Sequence, residues 1–204
     1  RRVLFRSLSM ICRKCDEESA QIAVDYLRRG KVVVLPTDTV YGFSGLVDGR
    51  HYSFHTYEKI CTIKQRDEGK HFIQLIAKPE DVKKYTRDVI PDELLAKWPG
   101  PLTIIVHTFA EDGNFETTAF RCPGDEWLRK VIAQCGAPIY STSVNRSGNP
   151  VLDNIQQIKA EFGKEVDLII DDGDKKGGIP STIVAIDETG AVKVVREGGI
   201  QVSS

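Results

Sequence analysis

Residues 32–35 read Val-Val-Val-Leu, followed at once by Pro36-Thr37-Asp38-Thr39-Val40-Tyr41-Gly42-Phe43. An apolar run rich in β-branched residues reads as a strand buried on both faces. Such strands arise where helices cover both sides of a largely parallel sheet. The segment before it supplies a helix, because Ala20, Ile22, Ala23, Tyr26 and Leu27 fall on a helical spacing. Asp16, Glu17 and Glu18 open that helix and Arg28 and Arg29 close it, as the helix dipole favours; Gly30 suits its carboxyl-terminal stop.

The alternation continues along the chain. Helical segments are predicted over 52–63, 79–86, 91–98, 125–136 and 152–163, the last with Asp153 as N-cap and Gly163 as its stop. Strands are predicted over 72–77, 102–108, 117–122, 137–144, 166–171, 181–187 and 192–197, with a turn at 111–114. Helices and strands alternate early and two strands close the chain, which predicts an α/β fold with a mixed sheet and flanking helices. A length of 204 residues with 41% hydrophobic suits one domain over 10–204. Residues 1–9 are basic and lack the apolar core of a secretory signal. With Met10 the only methionine, they are expected to be a non-native leader.

Composition removes several classes of function. No run of 18 apolar residues exists, so no membrane span is expected. The net charge of −1 gives no bulk attraction for nucleic acid, leaving only a local basic patch for such contact. Five cysteines at irregular spacing fit reduced thiols and a cytoplasmic location better than a disulfide framework. The Cys12-x-x-Cys15 pair lacks a second ligand pair, and His51 and His55, four apart, lack a third ligand, so no built-in metal site is expected. Walker-type and dinucleotide glycine motifs are absent, as is a nucleophile elbow.

What remains is a set of polar clusters at strand ends: 36–39, 141–148, 180–182 and 195–199. Taken singly, each serine or threonine is most simply a turn or helix cap. Together they place hydroxyls and exposed backbone amides where open α/β sheets bind ligands. The cations Lys64, Arg66 and Lys70 cluster around Gly69, a glycine-rich stretch spans 172–178, and Arg121 and Arg196 interrupt apolar strands. An arginine in an apolar strand must snorkel or meet an anion, and several converging on one cleft suit a polyphosphate.

The segments PTDTVYGF, KQR, WPGPLTIIV, AFRCP, STSVNRSG, PSTIVAI and VVREG occur in an order that resembles the YrdC-like family of threonylcarbamoyl-AMP synthases, over about residues 16–200. The resemblance implies a single-domain open twisted sheet around a large concave cavity. It also implies a reaction of L-threonine, bicarbonate or CO2, and ATP, with Mg2+ as the companion of ATP. The product would be a threonylcarbamoyl adenylate passed to a threonylcarbamoyl-transferase complex for tRNA modification. By motif, Thr37, Arg121, Ser141 and Ser181 would contact threonine. Lys64, Arg66 and Lys70 would hold the phosphates, with Lys64 and Arg66 as the catalytic pair. Thr117, Ser143, Asn145 and Arg196 would serve the nucleotide.

The chain departs from common family patterns in having Asp67 after Lys64-Gln65-Arg66, Val144 between Ser143 and Asn145, and Leu75 where some members place a histidine. The stretch 66–75 is similar to the YciO-like branch. Two other readings therefore stand beside the synthase: a YciO-like nucleotide-binding protein acting on another amino or acyl substrate, and a non-catalytic module binding tRNA or double-stranded RNA.

Overall fold

The computed structural model describes residues 7–67, 69, 71–110 and 112–203. Ten strands form one sheet: β1 (Met10–Arg13), β2 (Val33–Leu35), β3 (Gly42–Leu46), β4 (Ile73–Leu75), β5 (Leu102–Phe109), β6 (Phe115–Arg121), β7 (Ile139–Ser143), β8 (Leu168–Asp171), β9 (Thr182–Ile186) and β10 (Val192–Arg196). Their spatial order is β1-β8-β2-β3-β7-β4-β6-β5-β9-β10. Parallel pairs (β1 with β8, β8 with β2, β4 with β6, β5 with β9) are combined with antiparallel ones, so the sheet is mixed, as expected.

Among the described residues five α-helices flank it: α1 (Ser19–Arg28), α2 (Thr56–Lys64), α3 (Asp92–Leu95), α4 (Glu126–Cys135) and α5 (Ile155–Phe162). Strand alternation sorts the core. Val33, Leu35, Leu168 and Ile170 point to the face covered by α1 and α4. Val34 and Ile169 point to the face covered by α2 and α5. A third cluster lies under α3 and the short 3-10 turn Pro79–Lys84, where Ile104, Val106, Phe120 and Val184 meet Leu94 and Trp98.

Helices thus cover both faces of β8, β2 and β3, the arrangement inferred from the apolar run at 32–35. Among the described residues, the β6-β5-β9-β10 half has only one face covered. On its other face Thr117 and Lys193 are exposed and Ile105, Ala119, Ile183 and Ala185 are half-buried. That bare face continues the one packed by α1 and α4, and the functional recess lies where those helices stop.

Several local expectations are corrected. The helix predicted from residue 52 begins at Thr56, because the Asp48 carboxylate accepts the amides of Phe54 (2.7 Å) and His55 (3.1 Å) and holds this segment as a loop. His51 and His55 are therefore not on one helix. The N-cap of α5 is Asn154 rather than Asp153, and Gly163 ends that helix in right-handed geometry. The short helix expected at 79–86 is a 3-10 turn over Pro79–Lys84. Strands β1 and β3 were not anticipated. No helix among the described residues is long and apolar enough to cross a membrane.

Candidate active site

Strand β2 leaves the core at Leu35, and residues 36–41 turn the chain back into antiparallel β3. The Thr37 hydroxyl organises that turn. It donates to the Val40 carbonyl (2.6 Å) and accepts the amides of Thr39 and Val40 (both 3.1 Å). The simple cap reading thus holds in part, although the cap closes a strand-to-strand turn and no helix follows. The same threonine lines a recess of about 630 Å3. Its floor is one face of successive strands: Ser143 and Ser141 on β7, Leu75 and Ile73 on β4, Arg121 on β6 and Ile183 on β9. Gly42 fits this floor, since a Cβ there would meet the Ser141 hydroxyl at 2.6 Å.

Arg121 is the buried cation of this floor, with a side chain 4% exposed. It has found its anion within the protein. One Nη donates to the Asp38 carboxylate at 2.6 Å, and the other approaches the Thr39 hydroxyl at 3.4 Å. Asp38 also accepts the Gly124 amide at 2.7 Å. A buried arginine fixed on one edge presents a defined fork on the other, the geometry that suits a carboxylate.

Arg196 reaches the recess through a β-bulge. Val194 pairs with Val184 and Arg196 with Ile183, so Val195 is an extra residue. In an unbroken ladder Arg196 would fall opposite Thr182, on the side of Val192 and Val194, which pack on the third core cluster. The bulge puts it opposite Ile183 instead, a re-aiming that bulges commonly perform beside functional sites. Its guanidinium donates to the Ser181 carbonyl (2.8 Å) and approaches the Ser181 hydroxyl (3.4 Å). Ser181 is itself held by Thr103 at 2.8 Å. Among the described residues no carboxylate ion-pairs with Arg196. Burial, and then the charge of Arg121, pull its pKa below the usual arginine value.

A second recess of about 420 Å3 adjoins the first and shares Arg66, Thr142 and Ser143 with it. Lys64, Asp67 and Asn145 complete much of its wall. Lys64 ends α2, and Gln65 follows in the left-handed region (φ 52°), which turns Arg66 out over the Phe72 ring at 5.0 Å. The Lys64 ammonium is buried and directs its protons at the Ser143 carbonyl, the Asn145 carbonyl (3.2 Å) and the Asn145 side-chain oxygen (2.7 Å). Burial, and then the charge of Arg66, bring its pKa down to about 8. In this state Lys64 braces the 143–145 turn, with its donors already committed.

Tyr41 was not anticipated. It is fully buried, donates to the Gly173 carbonyl (2.6 Å) and accepts the Asp172 amide (2.8 Å), rooting the loop that runs to Ser181. Burial pushes its phenol up to about 12. Gly177, Gly178 and Pro180 of that loop wall the recess, and a Cβ at Gly178 would collide with the Thr39 carbonyl.

The structure therefore gathers Thr37, Arg66, Arg121, Ser141, Ser143, Ser181 and Arg196 in the first recess and Lys64, Arg66, Ser143 and Asn145 in the second. It does not bring Thr117 into either; that residue is exposed on β6, four positions before Arg121. Lys70 lies outside the described residues. Tyr41 and Asp153 were missed as recess residues, and Asp38 was missed as the anion of Arg121, although it stands inside the quoted PTDT stretch.

Fold and site together define an α/β domain whose open mixed sheet carries two adjoining cation-lined recesses. Residues 25–198 match the Sua5/YciO/YrdC family model, described as "Telomere recombination", and the chain belongs to that family. It is 30% identical over 195 residues to a threonylcarbamoyl-AMP synthase of Pyrococcus abyssi, covering 92% of this chain and 56% of that protein. It superposes on the structure of P. abyssi Sua5 complexed with L-threonine with a TM-score of 0.80 at 30% identity, covering 95% of this chain and 58% of the other. The structure of E. coli YciO matches with a TM-score of 0.74 at 25% identity, covering 94% of each. The chain thus spans little more than half the length of these two Pyrococcus chains.

Proposed function

We propose that this chain is an L-threonylcarbamoyladenylate synthase, a nucleotidyltransferase that joins L-threonine, bicarbonate or CO2, and ATP, and releases pyrophosphate. The observation that carries the reading is a recess shared by a carboxylate-matched arginine and two arginines that form no ion pair among the described residues. The first suits the carboxylate of an amino acid, the others a polyphosphate.

In the proposed mechanism the neutral threonine amine forms a C–N bond with CO2 and gives its proton to solvent. The resulting N-carboxylate oxygen attacks the α-phosphorus of ATP, and the bond to the β-phosphate oxygen breaks. No protein nucleophile takes part, so the residues act by position and charge. Arg121 orients the threonine carboxylate, with the hydroxyls of Ser141 and Ser181 beside it and the Thr37 turn forming the wall. Arg66, Ser143 and Asn145 receive the phosphates, with Lys70 assigned to the same task. Lys64 keeps the 143–145 turn in register, and Arg196 balances charge developing between the two substrates. Among the described residues no three metal-ligating side chains converge, so Mg2+ would enter with ATP, held mainly by the phosphates. The product would feed threonylcarbamoylation of tRNA.

The test is incubation with ATP, Mg2+, bicarbonate and labelled threonine. A labelled adenylate with equimolar pyrophosphate is expected. ATP turnover indifferent to threonine would move the protein to the YciO-like alternative, and RNA binding with no affinity for ATP to the non-catalytic one.

A further inference from the structure

Asp153 lines the main recess, and nothing in the mechanism above uses it. Its expected role at the start of α5 is filled by others. Asn154 accepts the amides of Gln156 (3.0 Å) and Gln157 (3.1 Å), and Asp174 accepts that of Ile155 (3.0 Å). The Asp153 backbone is held, because its carbonyl accepts the Lys175 amide at 2.9 Å. The residue is half-buried, and its carboxylate makes no hydrogen bond or ion pair with any described residue. A carboxylate on a recess wall without a partner in the protein has its acceptors open to a donor from outside the chain.

The other charged groups on this recess narrow the choice. Arg121 is matched by Asp38, and neither Arg66 nor Arg196 lies within ion-pair distance of Asp153. The carboxylate would repel a phosphate, so it faces a part of the ligand that offers hydrogens. Its place in the fold indicates which part. Leu152 is tied to Val144 (2.9 Å), which keeps residues 151–153 beside Ser143, the residue common to both recesses. Of the amino-acid groups, Ser141 lies on β7, while Arg121 and Ser181 belong to β6 and the start of β9, on the far side of β4. A nucleotide whose phosphates lie over Arg66 and Ser143 has its sugar within this neighbourhood. Val151, 41% exposed, offers an apolar rim beside it.

We infer that Asp153 accepts the ribose hydroxyls of the nucleotide. A carboxylate has two oxygens for a vicinal diol, and an acidic side chain reading a ribose hydroxyl is a recurring device in nucleotide sites. The inference deepens the synthase reading and rests on it.

The experiment is calorimetric titration of the full chain with ATP, 2′-deoxy-ATP, 3′-deoxy-ATP and threonine, repeated for Asp153→Asn and Asp153→Ala. Wild type should bind ATP about tenfold more tightly than either deoxy form, the loss expected for one charge-assisted hydrogen bond. Asp153→Ala, which loses both contacts, should bind ATP about a hundredfold more weakly, no longer distinguish the three nucleotides, and keep its threonine affinity. Asp153→Asn, which retains an acceptor without the charge, should fall between. Equal binding of ATP and the deoxy forms by wild type overturns the inference without needing any variant to fold. So does an alanine variant that keeps the discrimination, or one that loses threonine affinity in place of ATP affinity, which would assign the carboxylate to the substrate ammonium. A wild type with no affinity for ATP refutes the underlying synthase reading instead.

Discussion

Arg121 and Arg196 line one recess, and the protein treats them in opposite ways. Arg121 ends β6 at the inner end of the recess, almost wholly buried, with the Asp38 carboxylate 2.6 Å away. Arg196 sits at the open edge strand, carried in by a bulge, and among the described residues leans on the backbone and hydroxyl of Ser181. The matched arginine is a structural fork whose charge is already balanced, so what it adds to a ligand is direction. The unmatched one holds charge in reserve for a ligand. If that division is right, removing partners at the inner end should cost stability, and removing cations at the outer end should cost binding and rate.

The largest effect expected is on stability. Asp38→Ala leaves a buried guanidinium without its anion and should destabilise the fold by about 3 kcal/mol, read from the urea midpoint. Arg196→Ala should leave that midpoint within about 0.5 kcal/mol of wild type. Equal losses in the two variants would break the comparison. Next comes Arg66→Ala, which should slow adenylate formation about 100-fold with the urea midpoint little changed. Arg196→Ala should weaken ATP about tenfold. Deleting Val195 provides a finer test: it places Arg196 directly after Val194, opposite Ile183 in a regular ladder, so ATP affinity should stay within about threefold of wild type. A deletion as damaging as Arg196→Ala would show that the bulge does more than aim the side chain.

The smallest effect concerns Lys64. Its folded-state pKa of about 8 lies below the value of about 10.4 for an unfolded chain. Between those values the unfolded chain holds a proton that the folded protein has released, so stability rises with pH. The cost of burying the charge is complete below pH 8 and is relieved as pH climbs toward about 10. Chemical denaturation of wild type and Lys64→Met across this range should therefore show the wild type gaining on the variant. A flat difference would mean that the three oxygen acceptors fully compensate the burial.

Much of this was legible in the sequence, and the parts that were not share a cause. Residues 32–35 announced a strand covered on both sides, and the strand-end hydroxyls with Arg66, Arg121 and Arg196 announced a recess. Strand β3 stayed hidden because Gly42 and Gly45 break its apolar signal. Both are spaced for neighbours: a Cβ would meet the Ser141 hydroxyl at one position and the Thr56 methyl at the other. Strand β1 stayed hidden because only Cys12 of its four residues is buried. The anion for Arg121 could be demanded from sequence but not located, since Asp38 lies 83 positions away. The bulge at Val195 leaves no mark in composition, yet it decides which side of the sheet Arg196 serves. Thr117 shows the converse, a motif position that matched while the strand carried it away from both recesses.

The half-covered sheet has a consequence for motion. Amides of β8, β2 and β3, shielded above and below, should exchange with solvent only when the whole molecule opens. Those of β6 and β10 face water on one side and should exchange through smaller, more frequent openings. The recess straddles the seam between these regimes, with Ser141 and Ser143 on the quiet side and Arg196 on the restless one. A ligand that bridges the seam would make the two halves breathe as one, and the slowing of deuterium uptake in β10 would record its arrival.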